Sequence, residues 1–319
     1  MKVAFLTNKL TLRGTEIAVY DYAHYNEKIL GNESFIITRS FESVKNSYDV
    51  EMKAYQKFQK RFPKIFYYDQ KLLDEIIDSE KIDVLYIIKS GGKGDNLFTN
   101  KCKCVIHCVF DLNDPHGDVY AGISQSLNQI WNTNYPIVPH MIDVAESSEN
   151  LRAALGIHQN NLVFGRYGGR ESFDITFAKE AVYQVALENS NITFLFINTF
   201  PFCKLGNVIF LQGTEDMLIK RKFINTCDAM IHARERGESF GLSCGEFAVC
   251  GKPVITYDES KERNHLEALG EKAIVYKNKD ELYNLLKSFD KTKYDMKDNG
   301  YMIYTPENVM KIFREVFLS

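Results

Sequence analysis

The chain has 319 residues, of which 45% are hydrophobic and 25% charged. This length is about twice that of a typical domain and predicts two domains, each with its own core. The formal net charge of -3 offers no overall attraction for polyanions, which argues against nucleic acid as a partner. No apolar run reaches the roughly 20 residues of a membrane-spanning helix, and no signal peptide is recognisable. Seven cysteines, an odd number, favour a reducing, cytoplasmic location.

Short β-rich runs alternate with stretches of helical period along the chain. The first series of runs comprises residues 3–6, 34–37, 83–88 and 104–107, and the second comprises residues 162–164, 192–197, 208–210, 229–232, 253–255 and 273–275. Alternating strands and helices are typical of parallel sheets covered on both faces. The fold class is therefore predicted to be α/β, with two Rossmann-like, doubly wound parallel-sheet domains.

The boundary between the two series is expected near residue 142. Residues 135–141 contain two prolines, and the alternation of strands and helices pauses there. This predicts an N-terminal domain of residues 1–142 and a C-terminal domain of residues 143–300. Residues 301–319 read as a helix with Pro306 in its first turn, which we expect to pack back on the N-terminal domain.

Residues 236–255 form the most informative segment. Glu238 and Glu246 stand eight residues apart on either side of a Gly-containing turn. A loop that enters a helix offers free backbone N–H groups and the positive end of the helix dipole, which suit a diphosphate. Ionised carboxylates only accept hydrogen bonds, so Glu238 suits the hydroxyls of a sugar and Glu246 those of a ribose. Two solvated or capping glutamates are the alternative interpretation.

This segment resembles the signature of the retaining group-one (E-x7-E) glycosyltransferases, E-G-F-G-x-x-x-x-E-A-x-A-x-G-x-P-V. The matching residues are Glu238, Phe240, Gly241, Glu246, Gly251, Pro253 and Val254. Ser239 and Phe247 replace small residues of the pattern. The resemblance implies the GT-B architecture, in which two domains face each other across a cleft. It also implies that the N-terminal domain binds the acceptor and that the donor is held by Ser239, Phe240, Gly241, Leu242 and Glu246.

A second element follows the first strand of the second series. Gly168 stands there between Arg166 and Arg170, in a loop suited to approach and neutralise a leaving diphosphate. Arg166 matches the arginine of a loop in the same family. The family's lysine is missing, and Arg170 is the candidate that replaces it, with a surface loop charge as the alternative.

The N-terminal half of the sequence supports the family resemblance less strongly. Arg13, Gly14 and Thr15 follow the first strand and resemble the family's first Gly-rich loop with one glycine lost, although an ordinary capped helix start explains them equally well. The family commonly places a histidine in this half against the donor sugar. Both His107, at the end of the fourth predicted strand, and His116, in the polar loop beyond it, are candidates, with structural roles as the alternative. We class them with Glu238 as candidate catalytic residues.

The resemblance implies a glycosyltransferase that moves a sugar from a nucleotide diphosphate sugar to a glycan, lipid-linked or protein acceptor, with retention. No D-x-D element stands at a strand end, so we expect no metal ion or other cofactor, and basic groups and helix dipoles would stabilise the diphosphate. Two alternatives remain: a GT-B sugar-nucleotide epimerase and a non-catalytic protein that binds nucleotide sugars.

Two further clusters were weighed for binding. Cys102, Cys104 and Cys108 lie beside His107, but their spacing lacks a second ligand pair for zinc, so buried thiols are favoured. Residues 52–64 interleave basic and aromatic side chains. They predict an amphipathic surface helix, and peripheral membrane contact is the less favoured interpretation.

Overall fold

The computed structural model describes residues 1–47 and 50–319, and these divide into two compact units. The N-terminal unit consists of Met1–Met141 and Tyr304–Ser319, and the C-terminal unit of Ile142–Ile303. Each unit contains a six-stranded parallel sheet. None of the helices in these described ranges is long and apolar enough to cross a bilayer.

The N-terminal unit begins with a strand and alternates strands with helices. Its strands are β1 (Lys2–Leu6), β2 (Glu33–Thr38), β3 (Ile65–Tyr67), β4 (Val84–Lys89), β5 (Lys103–Cys108) and β6 (Val119–Gly122). Its first helices are α1 (Gly14–Lys28), α2 (Phe41–Val44), α3 (Met52–Arg61), α4 (Leu73–Glu80) and α5 (Gln125–Trp131). The strand order is β3-β2-β1-β4-β5-β6. All six residues of β4 are buried, as expected for a central parallel strand covered on both faces.

The C-terminal unit repeats this plan. Its strands are β7 (Leu162–Tyr167), β8 (Ile192–Ile197), β9 (Val208–Leu211), β10 (Ala229–Ile231), β11 (Gly237–Glu238), β12 (Val254–Tyr257), β13 (Glu262–Arg263) and β14 (Ile274–Tyr276). Its helices are α6 (Thr176–Glu188), α7 (Met217–Thr226), α8 (Leu242–Val249), α9 (Asn264–Leu269) and α10 (Lys279–Ser288), with 3-10 turns at Gly270–Lys272, Lys291–Lys293 and Gly300–Ile303.

The main sheet of the C-terminal unit has the order β9-β8-β7-β10-β12-β14, and β11 pairs with β13 in a separate two-stranded sheet. Counted from the first strand of each unit, both six-stranded sheets have the order 3-2-1-4-5-6. This is the strand order of the doubly wound Rossmann fold. The predicted fold class is therefore confirmed.

The last residues of the chain belong to the N-terminal unit. Helix α11 (Pro306–Phe313) has Pro306 at its start, and the Thr305 hydroxyl accepts a hydrogen bond from the Asn308 backbone N–H. A π-helical turn continues it over Arg314–Leu318. The Phe313 ring lies 5.2 Å from the ring of Tyr22, and the Phe317 ring lies 5.5 Å from the ring of Tyr86. The segment thus completes the aromatic core of this unit.

Helix α3 carries the basic and aromatic residues of the 52–64 stretch on separate sides. Tyr55 and Phe58 are buried. Among the basic residues, Lys57 lies 4.4 Å from the centre of the Tyr20 ring, and Arg61 forms an ion pair of 2.7 Å with Glu27. These basic side chains therefore contact their own unit.

Candidate active site

The candidate site lies in the C-terminal unit, at the point where the strand order reverses between β7 and β10. Neighbouring crossovers lead away in opposite directions there, which opens a crevice at the carboxyl ends of the strands. The loop with Gly168 follows β7, and the stretch from His232 to Glu238 follows β10. The topology therefore brings the two sequence motifs of this unit together.

Glu238 is held by two basic side chains. Its Oε2 accepts a hydrogen bond of 2.8 Å from Arg234, and its Oε1 lies 3.1 Å from Nε2 of His232. Burial by itself raises the pKa of Glu238, but Arg234 and His232 outweigh burial and lower that pKa from 4.5 to about 2. Glu238 is therefore an ionised acceptor, and its side chain keeps 19% of its surface exposed. Such a carboxylate can accept a hydrogen bond from a sugar hydroxyl.

Gly241 shapes the turn that precedes α8. Its φ of +88° is left-handed, and a Cβ at this position would lie 2.8 Å from the Tyr301 hydroxyl oxygen. The carbonyl of the preceding Phe240 accepts hydrogen bonds from Tyr301, at 2.7 Å, and from Asn264, at 2.9 Å. Phe240 and Ser239 are both buried. Within the described residues, the signature therefore builds a rigid turn.

Helix α8 starts at Leu242 directly after this turn. Its N-cap residue is Gly241, which has no side chain that could cap the helix. The first N–H groups of a helix have no partner within the helix, and they carry the positive end of its dipole. This terminus can therefore accept an anionic group of a ligand, as the sequence predicts for Gly241 and Leu242.

Glu246 faces the end of β7 from the second turn of α8. It is 5% exposed, and it accepts a hydrogen bond from the hydroxyl of Tyr167, the last residue of β7. Burial, followed by the charge of Glu246, raises the pKa of Tyr167 well above its usual value. Tyr167 therefore stays protonated and orients Glu246 as an acceptor.

The contacts of Arg166 differ from those expected of a residue that binds a diphosphate. Its guanidinium is buried and donates to Thr199 at 2.5 Å, to Ser172 at 2.6 Å, and to the carbonyls of Gly169 at 2.8 Å and Asn198 at 3.4 Å. Burial lowers the pKa of Arg166 to about 10, so it remains charged. Because these donors are occupied by protein oxygens, we correct the assignment of Arg166 from a diphosphate contact to a residue that shapes the loop.

Gly168 and Arg170 belong to the loop that Arg166 supports. A Cβ at Gly168 would lie 2.8 Å from Nη2 of Arg166, so glycine is required for this close approach. Arg170 is half-buried, and its Nε donates to the Asn198 side chain at 3.4 Å. Arg170 thus stays the loop cation that can approach a phosphate.

His107 requires a second correction. It lies within the fifth strand of the sheet, β5, and is fully buried. Its Nδ1 is 2.7 Å from the Tyr86 hydroxyl and its Nε2 is 2.8 Å from the Val138 carbonyl. Burial lowers its pKa well below the usual value. Both ring nitrogens are used inside the core, so we withdraw His107 as a donor-contacting residue.

The other predicted residues of the N-terminal unit lie in loops or in the first turn of α1. Nδ1 of His116 is 2.7 Å from the Asp114 carbonyl, and its Nε2 is 3.3 Å from the Lys89 ammonium. Arg13 is the N-cap of α1, which begins at Gly14 and Thr15 after β1. His116, Arg13, Gly14 and Thr15 stay predictions.

Three functional candidates were not assigned from the sequence. These are His232, which pairs with Glu238, and Thr256 and His265, which form hydrogen bonds behind it. His232 directly follows β10, so its place at the carboxyl end of a strand was a usable signal. Thr256 and His265 carry no local motif and are recognised only through their contacts.

No group of three or more His, Cys, Asp or Glu side chains suited to a metal ion occurs in residues 1–47 and 50–319. Of the residues weighed as zinc ligands, Cys104, His107 and Cys108 are buried within β5. Burial raises the pKa of the Cys104 and Cys108 thiols.

A comparison with family models matches residues 202–301 to the family described as glycosyl transferases group 1. This range contains the turn, α8 and both signature glutamates. The match supports the predicted resemblance to the group-one glycosyltransferases over this part of the chain. No curated protein matches the sequence significantly.

Several solved structures, glycosyltransferases among them, share the fold. HepE of Anabaena, solved with UDP and glucose, has a TM-score of 0.73 and 17% identity over 99% of this chain and 98% of its own. A glycosyltransferase of Rickettsia africae has a TM-score of 0.63 and 12% identity, over 99% and 94% respectively. WaaG, involved in lipopolysaccharide biosynthesis, has a TM-score of 0.64 and 10% identity, over 98% and 99%. These similarities confirm the two-domain GT-B fold.

Proposed function

We propose that this chain is a group 1 glycosyltransferase that moves a sugar from a uridine diphosphate donor to an acceptor hydroxyl. The observation that carries the proposal is the convergence of the ionised Glu238, the uncapped start of α8 and the buried Glu246 at the strand-order reversal of the C-terminal unit. HepE, which is similar in fold, was solved with UDP and glucose, and this supports the choice of donor.

Different groups of this site bind different parts of the donor. Negative charge builds on the diphosphate as the glycosidic bond breaks, and the N–H groups of α8 together with Arg170 stabilise it. Glu238 accepts a hydrogen bond from a sugar hydroxyl, and Glu246 accepts one from the ribose. Retention at the anomeric carbon and metal independence belong to the same proposal, and the acceptor is a glycan, a lipid-linked molecule or a protein.

Donor binding is tested by thermal unfolding with a panel of UDP-, GDP-, ADP- and CDP-sugars. A ligand at ~100 times its Kd should add about 2.7 kcal/mol to the free energy of unfolding. We expect this shift with UDP-sugars, and we expect Glu246→Ala to reduce it. The matched control Glu271→Ala changes an exposed glutamate of the same unit and should leave the shift intact. The absence of a shift with every nucleotide would overturn the proposal.

Turnover separates the transferase from its alternatives. A transferase consumes the donor with an acceptor from a glycan, lipid and protein panel, whereas an epimerase changes the donor sugar without any acceptor. Tight nucleotide binding without either product would indicate a non-catalytic binding protein. Activity that persists in EDTA, and a product with the anomeric configuration of the donor, would support the metal-independent, retaining reaction. The opposite results would overturn those two features.

The cellular location belongs to the proposal as well. All seven cysteines are free thiols. Free thiols persist in a reducing compartment, which supports the cytoplasm.

A further inference from the structure

A chain of hydrogen bonds runs from the interior of the C-terminal unit to Glu238. Nε2 of His265 lies 3.0 Å from the Thr256 hydroxyl, which lies 2.8 Å from Nδ1 of His232. Nε2 of His232 lies 3.1 Å from Oε1 of Glu238. His265 and Thr256 have no exposed surface and His232 is 3% exposed. The three residues behind Glu238 are therefore shielded from water.

Secondary structure places these residues side by side. The register of β10 and β12 pairs Ile231 with Ile255, so His232 and Thr256 are the next residues on adjacent parallel strands. The His232 N–H donates to the Ile255 carbonyl at 2.8 Å, and its carbonyl accepts from the Tyr276 hydroxyl at 2.9 Å. The backbone of His232 is thus fixed from both sides.

His265 lies in α9 and joins the hydrogen-bond chain from there. Its ring centre lies 4.8 Å from that of His232, and a Cβ on Gly241 would lie 3.0 Å from the His265 Cβ. His265 therefore packs directly under the turn that leads into α8. This packing connects the hydrogen-bond chain to the signature turn.

The hydrogen bonds of this series have one favoured direction of donation, from His265 towards Glu238. Ionised Glu238 can only accept, so His232 donates from Nε2. With His232 neutral, its Nδ1 accepts from the Thr256 hydroxyl, and the Thr256 oxygen accepts from Nε2–H of His265. Nδ1 of His265 is buried without a hydrogen-bond partner among the described residues. Burying an acceptor nitrogen without a partner costs less free energy than burying an N–H without one. The reverse direction, which would leave an unpaired N–H at Nδ1 of His265, is therefore disfavoured.

We propose that Thr256 and His265 are positioning residues that hold His232 as its Nε2–H tautomer, so that Glu238 is kept in one orientation for the donor sugar. The identity of that ligand rests on the proposed function, whereas the tautomer does not. A hydrogen bond to the second ring nitrogen is the usual means by which proteins select a histidine tautomer.

Charged and titratable groups from several elements face Glu238. Arg234 donates to its other oxygen. Arg166 from β7 and Glu262 from β13 are further charged groups that interact with Glu238, and burial keeps the nearby Cys244 thiol of α8 neutral by raising its pKa. Arg234 stays in place when Thr256 is changed. Loss of the Thr256 hydroxyl therefore acts on the orientation of Glu238 rather than on its nearest cation.

The direct test is nitrogen NMR of protein labelled in its histidines, with the His232 signal assigned from a His232→Asn sample. Wild type should show the Nε2–H tautomer of His232. Thr256→Val removes the hydroxyl at similar volume, so Nδ1 of His232 loses the partner that holds the ring against Glu238. The ring can then rotate away from the carboxylate and should populate both tautomers, whereas Thr256→Ser should restore the single one. The same tautomer in wild type and Thr256→Val would overturn the proposal.

Kinetics and binding then test the consequence. We expect Thr256→Val to lower kcat/KM about tenfold to a hundredfold while the Kd for UDP changes less than about twofold, with recovery in Thr256→Ser. Thr193→Val is the matched control, because Thr193 is a buried threonine of β8 whose hydroxyl takes no part in the hydrogen bonds behind Glu238. An equal loss in Thr193→Val, or no loss in Thr256→Val, would overturn the positioning role.

A failure of the proposed function is distinguishable from a failure of this inference. If wild type neither binds UDP nor transfers sugar, the transferase proposal fails, but the NMR comparison still shows whether Thr256 selects the tautomer. If wild type is active and the tautomer is insensitive to Thr256, the inference fails and the transferase proposal stands.

Discussion

Two carboxylates, the buried Glu16 and the partly buried Glu238, respond to burial in opposite ways because their neighbours differ. Arg234 and His232 keep the pKa of Glu238 at about 2, despite the burial that raises it. Glu16 instead accepts hydrogen bonds from the Thr11 and Thr7 hydroxyls, and burial outweighs these and raises its pKa to about 6. The cation of Arg234 together with the hydrogen bond from His232 compensates for desolvation of Glu238, whereas the neutral hydroxyls do so only in part for Glu16.

Changing Arg234 should show the strength of its ion pair with Glu238. Arg234→Gln leaves a buried carboxylate without its cation, which should cost about 3 kcal/mol of unfolding free energy at pH 7. The pKa of Glu238 is depressed in the folded state, so the stabilisation is present above pH 4.5 and is lost as the pH falls towards 2. Chemical denaturation at several pH values should therefore show a cost that shrinks below pH 4.5.

Arg263→Gln is the control for this experiment. Arg263 pairs with Asp258 at 3.0 Å, but its side chain is 45% exposed. Such surface pairs contribute less than about 1 kcal/mol. A cost for Arg234→Gln as small as that of Arg263→Gln would contradict a buried, strongly coupled pair.

Glu16→Gln should stabilise the protein at neutral pH. The pKa of Glu16 is 4.5 unfolded and about 6 folded, so the folded state binds more protons between these values and stability falls as the pH rises from 4.5 to 6. A neutral amide removes that penalty, which is about 2 kcal/mol for this shift. Unfolding by urea at pH 4 and pH 7 should show a gain only at pH 7. The exposed Glu75→Gln serves as control, and an equal gain there would refute the argument.

Residue type and spacing predicted the chemistry that the side chains can perform, but not where every side chain points. The spacing of Glu238 and Glu246 indicated two acceptors around a helix start, and both face the strand-order reversal. The same reasoning misassigned Arg166 and His107, whose side chains turn into the interior. The hydrogen-bond chain through Thr256 depends on contacts between separate elements, which no local pattern records.

Among the elements, the long central strands were predicted well, whereas the short edge strands of the N-terminal unit were missed. Strands β1, β4 and β8 read as continuous apolar runs because both of their faces are covered. The edge strands β3 and β6 have three and four residues, and β6 ends in Gly122. Runs this short give little pattern that separates them from loops.

The turn before α8 should depend on glycine at position 241. Gly241→Ala adds a Cβ at φ +88°, within 2.8 Å of the Tyr301 hydroxyl, so it combines backbone strain with a clash. We expect a loss of about 1 to 3 kcal/mol in unfolding free energy and weaker binding of UDP, because the start of α8 moves. Thermal unfolding with and without UDP measures both effects.

Gly251→Ala separates strain from the clash. Gly251 has a similar φ of +73°, but nothing lies within 4 Å of an added Cβ. It should show the cost of strain alone, about 1 kcal/mol, with UDP binding unchanged. If both variants lose UDP binding equally, the effect of Gly241 on α8 is not local.

At the scale of the whole molecule, one strand order occurs twice in the chain. The alternation of apolar runs and helical stretches predicted two doubly wound sheets, since this alternation requires parallel crossovers. Each unit has its own aromatic core: Phe313 packs on Tyr22 in the N-terminal unit, and Phe164 packs on Phe194 in the C-terminal unit. The residues at the end of the chain therefore stabilise the unit that contains its beginning.

Removing either core ring should loosen its own unit selectively. Phe313→Ala and Phe164→Ala each empty a fully buried site, at an expected cost of about 3 to 5 kcal/mol. Hydrogen exchange measured by mass spectrometry should show faster exchange in α1 and β4 for Phe313→Ala, and in β7 and β8 for Phe164→Ala. Each variant is the control for the other, because the size of the cavity is the same and only its unit differs. Equal loss of protection in both units for either variant would mean that the chain unfolds as one cooperative body, since units with separate cores open separately.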